Sequence, residues 1–303
     1  MHYHPGGRGL KTSWKAPVTS FADLEMPTSR YVVPKEGFVL VRAGDGTDSG
    51  EALLAAGPAA TRWAPPVERT GLFLDLTALP VSSRSLLGLA NELGPLSRWQ
   101  FEWGNRAACS VLAARCELEY LKLAGLAFRA RVSDLPASAL QRLAREARAL
   151  DEKYMRETRI DTEARAPAVP AGLPGRETVW HWLAEIVGLW LDGSWPPPGA
   201  GDGDGIARPV PAVAERLYFD GMTFRRSEIV EGVFALAWRQ LACALETEIE
   251  FRRCERCSHW FALGSIAPGS AFKGRRRGTR YCGKKCRDAA SYWSRKRRLR
   301  PGG

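Results

Sequence analysis

The chain has 303 residues, 45% hydrophobic and 25% charged, with eleven tryptophans. That is a globular composition, with enough apolar material for a sizeable core and length for two domains of about 100–200 residues. The net charge of +11 is unevenly spread: residues 252–303 hold 16 Lys and Arg against 2 Asp and Glu, and residues 1–251 hold 28 against 31. The first 251 residues are therefore slightly acidic and the last sixth strongly basic, which points that end toward a polyanion, most simply nucleic acid. The polar, Gly-rich start lacks the apolar run of a secretory signal. The most apolar run, 179–191, is interrupted by His181 and Glu185 and is shorter than the ~20 residues that span a bilayer. A cytoplasmic, nucleoid-associated protein without a membrane partner is expected.

In chain order, residues 1–29 carry Gly, Pro and scattered charge and predict a poorly ordered start. Residues 30–42 read as a β-hairpin: Tyr31-Val32-Val33, a turn at Pro34-Lys35-Glu36-Gly37, then Phe38-Val39-Leu40-Val41. The Gly/Asp stretch 43–50 reads as a loop, and Leu72–Leu76 as a short strand or the start of a helix. Asp75 within it reads as a cap or salt-bridge partner rather than a functional acid. Ser82 or Ser83 can cap a helix to about Leu93, stopped by Gly94-Pro95. Residues 105–131 predict a long helix, with Val111, Leu112, Leu118, Leu121 and Leu123 at helical spacing. A further helix capped by Ser133 or Asp134 would carry Leu140, Leu143, Ala147 and Leu150. Pro- and Ala-rich 165–175 reads as a linker, 177–191 as a buried helix, and 194–212, with Pro196-Pro197-Pro198, as a second linker. Ser227 would then cap a helix to about Glu248 with Ile229, Val230, Val233, Phe234, Leu236, Trp238 and Leu241 inward. The expectation is a mainly α fold with a small N-terminal β element: an α-rich body at 30–250 and a basic metal-binding module at 251–303.

That module carries the clearest chemistry. Cys254-x2-Cys257 and Cys282-x3-Cys286 are two close pairs separated by a turn-rich insert, the arrangement that wraps four thiolates around one Zn²⁺. With no signal peptide, paired cysteines fit a reducing compartment better as ligands than as disulfides. The competing reading, two reduced pairs without metal, is disfavoured by both spacings and the intervening length. His259 follows Cys257 too closely for a second regular pair and reads as a bystander. Cys109, Cys116 and Cys243 lie in apolar helical stretches and read as core. Trp260 and Phe261 would cover the metal. Cys282 and Cys286, at i and i+4, would share a helix face that continues through Ala289, Ala290 and Trp293.

The order of knuckle, aromatic, Arg-rich loop, aromatic-Cys, second Cys and basic helix over about residues 250–300 resembles the zinc finger of the CGNR family. That treble-clef-like finger belongs to proteins regarded as stress-induced bacterial transcription regulators, with an N-terminal ligand-sensing-type domain. The resemblance implies Cys254, Cys257, Cys282 and Cys286 as ligands of one structural zinc, Arg275, Arg276, Arg277 and Arg280 as the basic loop, and DNA as partner. The chain departs from the family where its signature tetrapeptide would start: the sequence reads Cys286-Arg287-Asp288-Ala289, and the second pair is more closely spaced than is usual there.

The expected phosphate contacts are Arg275, Arg276, Arg277, Arg280, Lys284, Lys285, Arg287, Arg295, Lys296, Arg297 and Arg298. If the helix from Cys286 enters a major groove, Arg287, Ser291 and Arg295 are the base readers by spacing. Trp260, Tyr281, Tyr292 and Trp293 leave a second reading open, an RNA-associated or protein-interaction adaptor with a structural zinc. No Walker A motif, HExxH or calcium loop occurs in the sequence, and four thiolates leave zinc no open position for water. A non-enzymatic DNA-binding regulator is therefore expected, with a small ligand or a second copy as candidate partners of the body.

Overall fold

The computed structural model describes residues 32–34, 36–42, 51–56, 61–63, 69–96, 100–103, 106–132, parts of 138–153, 176–192, 213–219, 224–230, 232–247, 249–264 and 275–298. Within these the protein is mainly helical, with four small antiparallel sheets. The expected linkers, the first 29 residues, the 43–50 loop and the Ser133/Asp134 caps lie outside the described residues.

The N-terminal β region is larger than the sequence suggests and differently paired. Strand β1 (Val32–Pro34) pairs with β4 (Thr61–Trp63), whereas β2 (Phe38–Arg42) pairs with β3 (Glu51–Ala55). The two strands expected to form one hairpin thus belong to separate sheets. The turn between them is nonetheless real: Gly37 takes φ +77°, a left-handed conformation that glycine adopts without steric cost. Strands β5 (Gln100–Trp103) and β6 (Arg106–Ser110) complete a sheet of order β2-β3-β6-β5. The helix expected from residue 105 starts only at Val111, because residues 106–110 pair with β3 and β5.

Helix α1 (Leu72–Leu76) lies at the centre of the core, with Leu72, Phe73, Leu74 and Leu76 all buried. It packs against α3 (Val111–Val132) and α5 (Val233–Thr247). Helix α2 (Ser83–Leu93) starts where Ser82 accepts the backbone N–H of Ser85 at 3.2 Å, and ends at Gly94, as its capping pattern predicts. Helix α4 (Arg176–Asp192) buries Trp182, Leu183, Ile186, Val187 and Trp190 while His181 and Glu185 face solvent. Trp190 stacks on Trp238 of α5 with centroids 5.5 Å apart, joining α4 to α5. Cys109, Cys116 and Cys243 are buried, as expected of core thiols.

Helix α5 is shorter than the sequence reading. Ser227, Ile229 and Val230 belong to β8 (Phe224–Val230), which pairs in register with β7 (Val213–Phe219). Ser227 therefore lies inside a strand, six residues ahead of the helix start, and does not begin that helix. The first N–H groups of α5, at Val233 and Phe234, bond instead to the carbonyls of Pro95 and Leu96, each at 2.9 Å, which satisfies donors that a helix start leaves open. No helix among the described residues is long and apolar enough to cross a membrane.

Candidate metal centre

Beyond α5 the chain makes a β-hairpin, β9 (Glu250–Arg253) and β10 (Trp260–Leu263). The first cysteine pair sits in its turn. Cys254 donates its N–H to the His259 carbonyl at 2.8 Å, and Ser258 donates to the Cys254 carbonyl at 2.9 Å. Closing the turn this tightly places Ser258 at φ 61°, an uncommon conformation for a residue with a side chain. The chain returns at Arg275, which bridges β10: its N–H bonds to the Ala262 carbonyl at 2.9 Å, and its carbonyl accepts from Gly264 at 2.7 Å. The Arg275 Nε then donates to the Cys282 carbonyl at 3.0 Å, so this arginine braces the second cysteine pair. Glu255 N–H bonds to the Arg280 carbonyl at 3.1 Å, tying the two halves together.

Helix α6 (Lys284–Arg298) begins after Cys282, so the second pair does not share a helix face. Cys282 sits just ahead of the helix and Cys286 in its first turn. Cys282 Sγ is nevertheless 3.6 Å from both Cys257 Sγ and Cys286 Sγ, and all four sulfurs lie within 4.8 Å of one another. Four thiolates held at about 2.3 Å by a tetrahedral ion stand about 3.8 Å apart, whereas a disulfide needs about 2.05 Å. The spacing fits a shared ion. Phe261, Leu263 and Tyr281 pack around the sulfurs, and Cys254 is 2% exposed. Trp260 points the other way, against the main core, because adjacent strand residues face opposite sides. Of the two aromatics expected to cover the metal, only Phe261 does so.

The four thiols differ electrostatically. Burial pushes Cys254 upward, but the N–H groups of Cys257, Cys282 and Arg256 outweigh it and bring the thiol down to about 6. Cys282 is pushed up by burial and by the neighbouring sulfurs, and burial likewise raises Cys286. At neutral pH the metal-free cluster therefore holds Cys254 as thiolate and Cys282 and Cys286 as thiols. Binding an ion must expel at least these two protons, which makes affinity fall by at least about a hundredfold for each unit of acidification. Below about pH 6, where Cys254 also takes a proton, the fall steepens. Metal release followed against pH with a chromophoric chelator tests this, and a pH-independent affinity would contradict it.

The hairpin is also bonded to the body. Asp75 of α1 accepts the Trp260 N–H at 3.0 Å and pairs with His259 Nδ1 at 3.1 Å. Burial raises the Asp75 carboxyl, opposed by the Trp260 N–H and the charges of His259 and Arg69. His259 is thus a docking residue, bonded to the body through Asp75. Thr70 Oγ1 accepts from Ala262 N–H at 3.0 Å. Gln240 of α5 accepts from Leu72 N–H at 2.9 Å and donates to the Arg69 carbonyl at 2.7 Å, fixing the start of α1. Phe251 of β9 packs edge-on against Phe73 and Phe128. Thr70, Gly71 and Gln240 carry no motif, so the sequence reading missed them; Asp75, an acid within an apolar run, was the one visible signal.

Of the expected phosphate contacts, Arg275, Arg276, Arg277, Arg280, Lys284, Lys285 and Arg287 are exposed around the cluster. Arg280 pairs with Glu255 at 3.4 Å and Arg287 with Asp288 at 3.6 Å. Arg295, Lys296, Arg297 and Arg298 lie along the second half of α6; of these only the Lys296 side chain is described. The proposed base readers Arg287 and Ser291 are both exposed. No family model, curated protein or solved structure matches the chain. The likeness to the CGNR finger therefore rests on the residues themselves, which bring four cysteines close enough to hold a metal ion, consistent with a zinc-finger-like module.

Proposed function

We propose that the protein binds nucleic acid, with duplex DNA as the leading substrate, through a C-terminal finger built on one structural zinc. The observation that carries the reading is the joint placement of four converging sulfurs and a one-signed surface. Residues 275–298 hold eleven Lys and Arg against one Asp. An all-cysteine set with tetrahedral spacing suits zinc and leaves no coordination position for substrate. Knuckle hairpin, return loop and ligand-bearing helix follow one another in the order of a treble clef. Transcription regulation is the role that the CGNR resemblance adds. The bonds between α1 and the hairpin support a body that orients the finger.

The test is binding of the full-length, metal-loaded protein to duplex DNA across a salt series. Each neutralised phosphate contributes a slope of about −0.9 in log affinity against log salt. Arg277→Ala and Lys284→Ala should each flatten that slope by about one unit, with little sequence preference in the loss. Absence of salt-sensitive binding to any nucleic acid would overturn the reading.

A further inference from the structure

Tyr292 and Trp293, 56% and 48% exposed, are the two large aromatic side chains left exposed among the described residues. The metal cluster does not use them, since Phe261, Leu263 and Tyr281 cover the sulfurs. They form an edge-to-face pair with centroids 5.8 Å apart, which holds the rings in one mutual orientation. Cations surround them. Lys296 Nζ lies 5.2 Å from the Trp293 ring centroid. Lys285 and Lys296, seven residues before Tyr292 and four after it, share its helix face. An aromatic surface flanked by cations matches a ligand with flat π faces strung on an anionic backbone.

We propose that the Tyr292–Trp293 pair is a stacking platform for unpaired bases. The finger would then prefer nucleic acid in which a single-stranded segment adjoins a duplex. The inference rests on the nucleic-acid reading above and adds to it the state of the bases. Charge decides between occupants. Helix α6 carries seven Lys and Arg against one Asp, so a second copy docked on this face would bring like charges together. A lipid surface would need a continuous apolar face, whereas Cys286, Ala289 and Ala290 on the Trp293 side are partly buried. Unpaired bases satisfy both features: each offers a π face to a ring, and its phosphates meet Lys285 and Lys296.

The experiment compares a blunt duplex with the same duplex carrying a single-stranded overhang, matched in total phosphate, as DNA and as RNA. Full-length, metal-loaded protein should favour the overhang by roughly tenfold. Trp293→Ala and Tyr292→Ala should each remove most of that preference while leaving blunt-duplex affinity, its salt slope and the metal content unchanged. Trp293→Phe should keep it. The DNA and RNA arms identify which polymer supplies the bases. Equal affinity for blunt and overhang substrates overturns the platform while the nucleic-acid reading stands. The same holds if the variants weaken both substrates alike, since the rings would then only shape the helix. Binding to anionic vesicles without binding to nucleic acid overturns both.

Discussion

Cys282→Ser is expected to release the metal and unfold residues 275–298 while the helical body stays folded. Cys282 Sγ lies 3.6 Å from both Cys257 Sγ and Cys286 Sγ. It joins the knuckle to the helix. Ion binding supplies folding free energy of about 10–16 kcal/mol in small structural zinc modules at neutral pH, far more than the apolar contacts here can offer. Besides such an ion, α6 is held, among the described residues, by Tyr281, the Arg275 brace and a few partly buried side chains; its many like charges oppose folding. The hairpin should behave differently. Its strands are fixed to α1 by the Asp75 and Thr70 bonds and by Phe251 against Phe73, none of which involves a sulfur. Limited trypsin digestion should therefore cut the variant first across residues 275–298 and leave a resistant body that includes β9 and β10. Metal analysis should fall from about one ion per chain, the count for one four-thiolate site, to none. A variant that keeps its ion, or whose body unfolds together with the tail, would show that the cluster is not the local fastener of α6.

The elements that were legible in the sequence are those with strong local chemistry. The α2 cap and stop, the buried run of α4 and the clustering of the four cysteines could all be read from residue type and spacing. The misreadings share a cause. Residues 106–110 and 224–230 continue into helices, and their apolar residues also fit a helical period, so periodicity alone extended each helix backward. The countersigns were turns. Trp103 pairs with Arg106, which leaves the two residues Gly104-Asn105 to connect β5 to β6, a favoured hairpin composition. Asp220-Gly221 lies within the four residues that join β7 to β8 and is likewise a turn signal. Strand pairing was beyond reach for another reason. Which strand β1 meets is decided by residues about thirty positions away, and no local pattern encodes that choice. The cysteine cluster was visible, but the knuckle's need for a left-handed residue at Ser258 was not, since serine gives no such cue. The docking of hairpin on body was invisible for the same reason as the pairing, because Gly71 and Trp260 are distant in sequence.

Gly71→Ala should destabilise the protein by about 2 kcal/mol, as an overpacked contact does, and it tests that docking directly. A Cβ at Gly71 would stand 2.6 Å from the Trp260 Cβ and 2.9 Å from the Trp260 carbonyl carbon and oxygen. Two of those three atoms are backbone, so a rotamer change cannot relieve the clash. Either α1 or β10 has to move, and α1 is held by Gln240 and by its buried leucines. The hairpin should therefore lift, stretching the bonds from Trp260 to Asp75 and from Ala262 to Thr70. Metal content should be unchanged, because the sulfurs are positioned within the finger. Gly88→Ala in α2 provides the opposite sign: nothing lies within 4 Å of its added Cβ, and replacing a mid-helix glycine gains up to about 1 kcal/mol. Thermal melts of the two variants should thus move in opposite directions, with Gly71→Ala lowered by several degrees for a chain of this size. If Gly71→Ala melted like the parent, the close approach of α1 and β10 would not exist. The proposal that the body orients the finger would then fail, and the proposed nucleic-acid surface would have to act as an independent tail.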